Sequence, residues 1–160
     1  MPLEASPDHG LVLPCSLLLL CIAMSLTVRV LAPDTQIFDG TADEVILPST
    51  TGQMGVLTGH VSLLTALDVG VLRLREGYTW SSIALMGGFA EVIDNEVTVL
   101  VNGAERGADI DRAEAEQAFA AAREELARVA EQINTPEKIQ AQQNASRARA
   151  RVQAAGGKVD

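Results

Sequence analysis

The chain has 160 residues, of which 48% are hydrophobic and only 3% aromatic, so it can bury an aliphatic core of about one ordinary domain. Twelve Lys and Arg residues oppose 21 Asp and Glu, which gives a net charge of −9 and argues against general binding of nucleic-acid phosphates. Cys15 and Cys21 are the only cysteines, and no histidine motif accompanies them, so the sequence predicts neither a disulfide framework nor a metal site.

Residues 1–23 differ in character from the rest of the chain. Leu11–Ala23 is an apolar run broken by Pro14, and it is shorter than the about 20 residues that span a bilayer. The segment also lacks the Lys or Arg of a secretory leader. We expect it to be poorly ordered: it is either the product of an upstream start codon, with Met24 as the true start, or a weak signal or anchor.

Residues 24–108 are predicted to form an antiparallel β-sandwich, because short alternating segments recur between turn signals. Two packed sheets would bury one face of each strand. Turns are expected at Asp39-Gly40, Glu76-Gly77, Gly87-Gly88 and Asp94-Asn95, and Pro48 is expected to end a strand. The stretch 52–75 is predicted to open with a glycine-rich surface loop and to close as an alternating strand.

Residues 109–160 are predicted to form an antiparallel two-helix hairpin, so the fold class is α+β. Asp111 with Glu114 is typical of a helix start, and Thr135-Pro136 predicts a second one. The first helix carries an apolar stripe and the second a matching stripe made mostly of alanine: Ala115, Phe119, Ala122, Leu126, Val129 and Ile133, then Ile139, Gln142, Ala145, Ala148, Val152 and Ala155. Small side chains bury little area, so we expect the hairpin to leave its resting place at modest cost.

Catalytic chemistry is not predicted anywhere in the chain. His60 has no signature relation to a nucleophile or to an orienting acid. Gly52-x-x-Gly55 and Gly87-Gly88 lack the Lys-Ser/Thr of a phosphate loop, and Ser81 and Ser82 lack a nucleophile elbow.

The end of the chain is basic, with five bases against two acids from residue 136 onwards. Arg147, Arg149 and Arg151 dominate this charge, and Arg147 and Arg151 share a helix face. They are interpreted either as an ordinary solvated face or as a clamp for an acidic partner loop or a nucleotide phosphate.

Two long patterns follow each other in the chain: Gly52, Gly55, Leu57, His60, Leu63, Leu64, Thr65, Ala66, Leu67, Gly70 and Leu72, then Gly87–Val92, Asn95 and Val97–Leu100. In these patterns the chain resembles the epsilon subunits of F-type ATP synthases. The resemblance extends from Ser25 to about Ala155.

The resemblance implies a non-catalytic subunit of the central stalk, without a cofactor or metal of its own. Such subunits bind the gamma subunit and the membrane ring of c subunits, and they couple ring rotation to the catalytic head. Their hairpin can extend along gamma and block ATP hydrolysis, with transient contacts to the beta and alpha subunits. The protein would lie peripherally on a membrane, on its cytoplasmic or stromal face, with a thylakoid favoured over a bacterial plasma membrane.

Site residues carried over from the resemblance fall into three groups. The c-ring is expected to meet Thr51, Gly52, Gln53, Met54 and Gly55, although the family often has an acid at the position of Gln53. His60 is expected at or near the gamma interface. Arg147, Arg149 and Arg151 are expected to contact the beta subunit when the hairpin extends.

Some relatives bind ATP through a motif I/L-D-x-x-R-A at the start of the first helix. Here Ile110, Asp111 and Ala115 match, but Glu114 replaces the arginine. A carboxylate repels phosphate, so weak or no ATP binding is expected.

Two other classes of function compete with the stalk hypothesis. A free-standing β-sandwich that binds a small ligand or peptide under a helical lid would need a well-formed apolar pocket. A hydrolase would need a polar triad that the sequence does not provide. An exposed glycine-rich segment without a pocket favours the stalk subunit.

Overall fold

The computed structural model describes residues 25–157, so the prediction for residues 1–23 lies outside the described part. The described residues form eight strands, a 3₁₀ turn at Gly107–Asp109 and two helices. The strands are β1 (Leu26–Leu31), β2 (Gln36–Ala42), β3 (Glu44–Ser49), β4 (Gly52–Leu57), β5 (Leu63–Glu76), β6 (Thr79–Ile93), β7 (Glu96–Val101) and β8 (Ala104–Arg106), and the helices are α1 (Arg112–Arg128) and α2 (Pro136–Ala154).

The strands form one continuous hydrogen-bonded sheet in the order β2-β1-β7-β6-β5-β3-β4, with β8 paired to β6. Every pairing is antiparallel except β1 with β7, which is parallel. Along β6, Ile83 and Leu85 point into the core in the first half, and Ala90 and Val92 do so in the second. Odd and even positions point to opposite faces of a strand. The two halves therefore meet the core from opposite sides, and the sheet closes into the two layers of a β-sandwich, which confirms the predicted fold class.

The long strand β6 crosses from one layer to the other at Gly87 and Gly88. Their φ angles are +80° and +154°, which L side chains rarely adopt. A Cβ on Gly88 would lie 2.7 Å from the Val101 Cα and closer still to the Leu100 carbonyl oxygen. The prediction that these glycines end a strand was wrong, because β6 continues through them and keeps the same register with β5 on both sides, although Gly87 itself has no paired partner there.

Two more local predictions were wrong. The glycine-rich segment Gly52–Gly55 is part of strand β4, paired with β3, and not a loop. Asp39-Gly40 is not a turn, because both residues lie within β2 and pair with β1. In each case, pairing with a neighbouring strand overrides the local preference for a turn. Pro48 lies inside β3, where the pairing with β5 is interrupted, so its missing N–H leaves no ladder bond broken there.

The turn at Asp94-Asn95 is confirmed. It joins β6 to β7 as a two-residue hairpin loop, and the φ angles of +48° and +65° are those of the turns that suit such hairpins. The turn after Glu76 is confirmed as well, with Gly77 at φ +62°.

Both helix starts are confirmed. The Asp111 carboxylate accepts a hydrogen bond from the Glu114 backbone N–H at 3.1 Å, and the Thr135 hydroxyl accepts one from Lys138 N–H at 3.3 Å. Each side chain satisfies an N–H that the helix itself cannot. The predicted end of α1 was too late: the helix stops at Arg128, and Ile133 lies beyond it, 86% exposed.

Helix α2 lies between α1 and the outer face of the β5–β6 layer. Val71 and Ala84 on the sheet form a second small core with residues of the hairpin: Ile110, Ala115, Ala150, Val152 and Ala154. The predicted apolar stripe of α2 was only partly right. Ala145 and Val152 are buried, whereas Ile139 is 52% exposed and Ala141 and Ala150 are buried in addition. The buried face of α2 is thus alanine with a single valine.

Candidate partner-binding surfaces

The turn and strand Thr51–Gly55 lie at the edge of the sheet. Strand β4 is the last strand in the order, so one of its edges has no neighbouring strand among residues 25–157. Gln53 and Gly55 are exposed, and a Cβ added at Gly55 would meet nothing within 4 Å. An uncharged, unhindered edge of this kind can accept another polypeptide.

The turn before β4 is held by a hydroxyl cluster. Ser49 is the one buried polar residue of the described chain, 6% exposed. Its Oγ lies 3.0 Å from the Thr65 hydroxyl and 3.2 Å from the Thr51 hydroxyl. Thr51 N–H also donates to Ser49 Oγ at 3.4 Å. This network fixes where Thr51 and the start of β4 stand relative to β5.

His60 lies in the turn that comes after β4. Its Nδ1 is 2.7 Å from the Val61 carbonyl oxygen, and its backbone N–H donates to the Leu57 carbonyl oxygen. The neighbouring Gly59 N–H donates to Asn95 Oδ1 at 2.7 Å, which ties this turn to the β6–β7 hairpin. In the described part of the chain the His60 ring thus contacts backbone and not a carboxylate, an arrangement that suits a contact residue.

The predicted c-ring and gamma residues are not one site. Gln53 and Leu57 are separated by about 13 Å of strand, at about 3.3 Å per residue. His60 lies beyond Leu57, so the two predicted contacts flank β4 at its two ends.

A third surface was not predicted. Ala90, Val92, Val97 and Val99 fill the core, so the alternate positions of β6 and β7 point outwards. Phe89 pairs with Leu100, and Leu100 pairs with Leu31 on β1, while Leu64 lies nearby on β5.

We call this set, Leu31, Leu64, Phe89 and Leu100, the outer apolar face. Leu64 is 69% exposed, Phe89 58% and Leu100 54%. A groove of about 600 Å³ adjoins it, lined by Pro33, Gly88 and Asn102 among others. Contiguous exposed apolar side chains mark interaction surfaces. The sequence did carry a signal for this face. In the Gly87–Val92 segment, Ala90 and Val92 occupy the core-facing positions of the alternation, and Phe89 is an apolar residue at an outward-facing position.

The three arginines of α2 have different surroundings. Arg147 and Arg149 are exposed, and Arg149 borders a cleft with Phe119 and Arg123 of α1. Arg151 is only 26% exposed, and its Nε lies 3.0 Å from Glu105 Oε2 on β8. The structure therefore brings Arg151 to the sandwich and leaves Arg147 and Arg149 in solvent.

The residues that match the ATP-binding motif at the start of α1 have structural roles in the fold. Ile110 is 8% exposed and packs in the small core under the hairpin, and Asp111 caps the helix. Glu114 is exposed. Within residues 25–157, no cluster of three or more His, Cys, Asp or Glu residues is placed to hold a metal ion.

The described chain is thus a β-sandwich with an attached helical hairpin, and it exposes an edge strand, an apolar face and the arginines Arg147 and Arg149 of α2. The family described as "ATP synthase, Delta/Epsilon chain, beta-sandwich domain" matches residues 25–107, and the long alpha-helix domain of the same chain matches residues 108–156. The chain belongs to the ATP synthase delta/epsilon chain family.

Individual relatives agree with this assignment. An ATP synthase epsilon chain of Cyanothece sp. is 61% identical over 137 residues, which cover 86% of this chain and 99% of the relative. Epsilon chains of Synechococcus sp. and Prochlorococcus marinus are 65% and 62% identical, and each match covers 82% of this chain and 97% or 98% of the relative.

Solved structures share the fold. A chain in the Euglena gracilis mitochondrial ATP synthase (OSCP/F1/c-ring) superposes with a TM-score of 0.69 at 22% identity, covering 97% of this chain and 89% of that one. A chain of the Tetrahymena thermophila mitochondrial ATP synthase central stalk/c-ring superposes with a TM-score of 0.51 at 18% identity, covering 81% and 95%.

Proposed function

We propose that this chain is a central-stalk subunit of a proton-translocating F-type ATP synthase, which binds gamma and the c-ring and couples rotation to ATP synthesis. The observation that carries the proposal is the family assignment over both halves of the chain, residues 25–107 and 108–156. The cyanobacterial relatives are epsilon chains of an ATP synthase, and the structural neighbours belong to assemblies that contain a c-ring.

The surfaces of the sandwich support two different partners. The outer apolar face suits a helical partner with an apolar stripe, and gamma is the partner we assign to it; His60, in the turn after β4, is kept as a second expected gamma contact. At the edge strand β4, the segment Thr51, Gly52, Gln53, Met54 and Gly55 is exposed apart from Met54, which is partly buried, and its polar side chains are Thr51 and Gln53. It suits the polar loops of the c-ring.

The hairpin is assigned the inhibition of ATP hydrolysis. Its α2 helix rests on the sheet through alanines and Val152, so its burial contributes little free energy per residue, at about 25 cal/mol per Å². Extension would bring the exposed Arg147 and Arg149, and Arg151 once it leaves Glu105, to an acidic loop of the beta subunit. Guanidinium–carboxylate pairs are strong and directional, which suits an inhibitory contact that forms at one rotational position of the stalk and blocks rotation there.

A peripheral location on the membrane is expected from binding to the c-ring. Neither helix in residues 25–157 combines the length and the apolar character that a membrane span requires. The cyanobacterial relatives favour a thylakoid over a bacterial plasma membrane.

The ligand-binding alternative has less support. It requires a well-formed pocket near the glycine-rich segment, but five clefts found between residues 25 and 157 have none of residues 51–60 in their linings. We expect no bound cofactor and weak or no ATP binding, since Glu114 would repel a phosphate at the start of α1.

The experiment that tests the proposal is ATP hydrolysis by a catalytic head containing gamma, with the full chain added and with a version ending at Arg106. We expect the full chain to bind and slow hydrolysis, and the shorter chain to bind without slowing it. Equal inhibition by both would place inhibition in the sandwich and refute the role of the hairpin. If neither binds the head, the assignment to the stalk fails and a ligand-binding role becomes the better hypothesis.

A further inference from the structure

The hairpin comes close to the sandwich where the 3₁₀ turn passes the end of α2. A Cβ placed on Gly107 would lie 2.8 Å from the Ala154 carbonyl carbon, closer still to its oxygen, and 3.1 Å from the Ser82 carbonyl oxygen. Carbon atoms in good contact are about 3.5–4.0 Å apart. Gly107 is not among the residues with a positive φ. Space alone, and not backbone strain, requires glycine here.

An ion pair stands beside this close approach. Arg151 Nε on α2 lies 3.0 Å from Glu105 Oε2 on β8. Within residues 25–157 it is the one ion pair that joins α2 to the sandwich; the other ion pairs lie within the sandwich or within α1. Glu105 and Gly107 are two residues apart on the sandwich side, and Arg151 and Ala154 are one turn apart on α2. We call these four residues the docking seam.

We infer that the docking seam is the latch that holds the hairpin on the sandwich, and that opening it is the step that frees the hairpin. The rest of the hairpin contact is apolar packing: Ala84 and Ala150 are buried beside Val71, Val152 and Ile110, with Met86 and Phe119 partly buried against them. Apolar packing is non-directional, so it does not by itself fix one seating of α2. The seam, in contrast, has one geometry, because the backbone of Gly107 fits against Ala154 only when α2 is fully seated. The latch deepens the proposed function, and its role in inhibition rests on that proposal.

The latch also separates the roles of the three arginines. While the hairpin is docked, the Arg151 guanidinium is occupied by Glu105, and Arg147 and Arg149 face solvent. Arg151 becomes available to an acidic partner only after the seam opens. Arg151 therefore stabilises the docked hairpin through Glu105 or the extended hairpin through an acidic partner, because one guanidinium cannot serve both contacts at the same time.

The test is Gly107→Ala in the full chain, with Gly103→Ala as the matched control. A Cβ on Gly103 meets only the Met86 side chain, at 3.5 Å, an ordinary contact, and Gly103 also lacks a positive φ. The measurement is amide hydrogen exchange at neutral pH, with α2 amides reporting the docked fraction and β7 amides serving as the reference for the sandwich.

We expect the exchange of α2 to accelerate about tenfold or more in Gly107→Ala, because the approaches below 3 Å are to Ala154 and exist only in the docked state, whereas the 3.1 Å approach to Ser82 is the same in both states. The rates in β7, and all rates in Gly103→Ala, should stay within about twofold of the wild type. If α2 exchanges as in the wild type, the latch is wrong. If β7 accelerates as much as α2, Gly107 supports the sandwich and not the docking, which also overturns the proposal.

The ionic half of the latch is tested with Glu105→Gln, Arg151→Gln and the double variant. Since partly exposed pairs are weak, each single variant should accelerate α2 exchange about two- to fivefold, and the double variant no more than either single one. If the accelerations of the two single variants multiply in the double variant, the two side chains act independently and the ion pair is not part of the latch. Hydrolysis assays separate the two proposals: if Gly107→Ala frees the hairpin but inhibition by the full chain is unchanged, the latch stands and the proposed braking function fails.

Discussion

Replacing Phe89 by alanine tests whether the outer apolar face is the gamma-binding surface. The side chain is 58% exposed and points away from the core, with Leu100 opposite it on β7. Phenylalanine presents about 200 Å² in total, so about 115 Å² is free for a partner to cover.

The expected loss is calculated from this area. At about 25 cal/mol per Å², complete coverage of the ring would contribute about 3 kcal/mol, which is an upper limit because association also has an entropic cost. We therefore expect Phe89→Ala to weaken gamma binding about ten- to hundredfold. The free energy of unfolding should change by less than about 1 kcal/mol, because most of the ring is already in water.

The assay is calorimetric titration of purified gamma with the full chain. Tyr78→Ala is the matched control, since Tyr78 is an aromatic residue that is 104% exposed and lies at the opposite end of β6 from the β6–β7 hairpin. We expect it to bind gamma like the wild type. Unchanged affinity in Phe89→Ala, with the thermal unfolding midpoint preserved, would refute the assignment of this face.

Three further variants test the fold around the surfaces. Gly88→Ala should destabilise the chain by about 3 kcal/mol, seen as a lower midpoint in thermal unfolding, because its Cβ would clash with the Leu100 carbonyl at a φ of +154°. Asn95→Gly keeps the hairpin turn but removes the acceptor for Gly59 N–H, so exchange at the Gly59 amide should accelerate about fivefold while β7 amides stay protected. Val152→Ala should destabilise the docked hairpin by about 2 kcal/mol, since Val152 is 1% exposed, and α2 should become more sensitive to protease without a change in the sandwich; equal loss of protection in both parts would contradict separate docking of the hairpin.

Local chemistry accounts for the predictions that succeeded. Asp111 and Thr135 were recognised as helix starts because an N-cap needs only its own side chain and the next three residues. The turn at Asp94-Asn95 was recognised for the same reason, since a two-residue hairpin loop depends on the φ that its own residues tolerate.

The predictions that failed depended on the pairing of neighbouring strands and helices in space. Gly52–Gly55 became a strand because β3 lies beside it, and Asp39-Gly40 became part of β2 because β1 does. Gly87-Gly88 was identified as a special backbone site, but whether such a site ends a strand or bends it is decided by the strands on either side. Along α2, the stripe expected from periodicity was displaced because one side of the helix meets the sheet and another meets α1.

The class of the fold and the family resemblance could be read from the sequence, because the alternation of strands, the caps of the helices and the spaced glycines each depend on residues that are close together in the chain. The sequence also placed the basic residues of α2. The surroundings of those residues, and the surfaces they form, followed from the three-dimensional arrangement of the elements. This arrangement separated Gln53 from His60 by the length of β4, gathered Phe89 and Leu100 into one exposed face, and paired Arg151 with Glu105. The physical reason is that burial and pairing depend on which elements are neighbours in space, and a sandwich assembles those neighbours from segments that are far apart in the sequence.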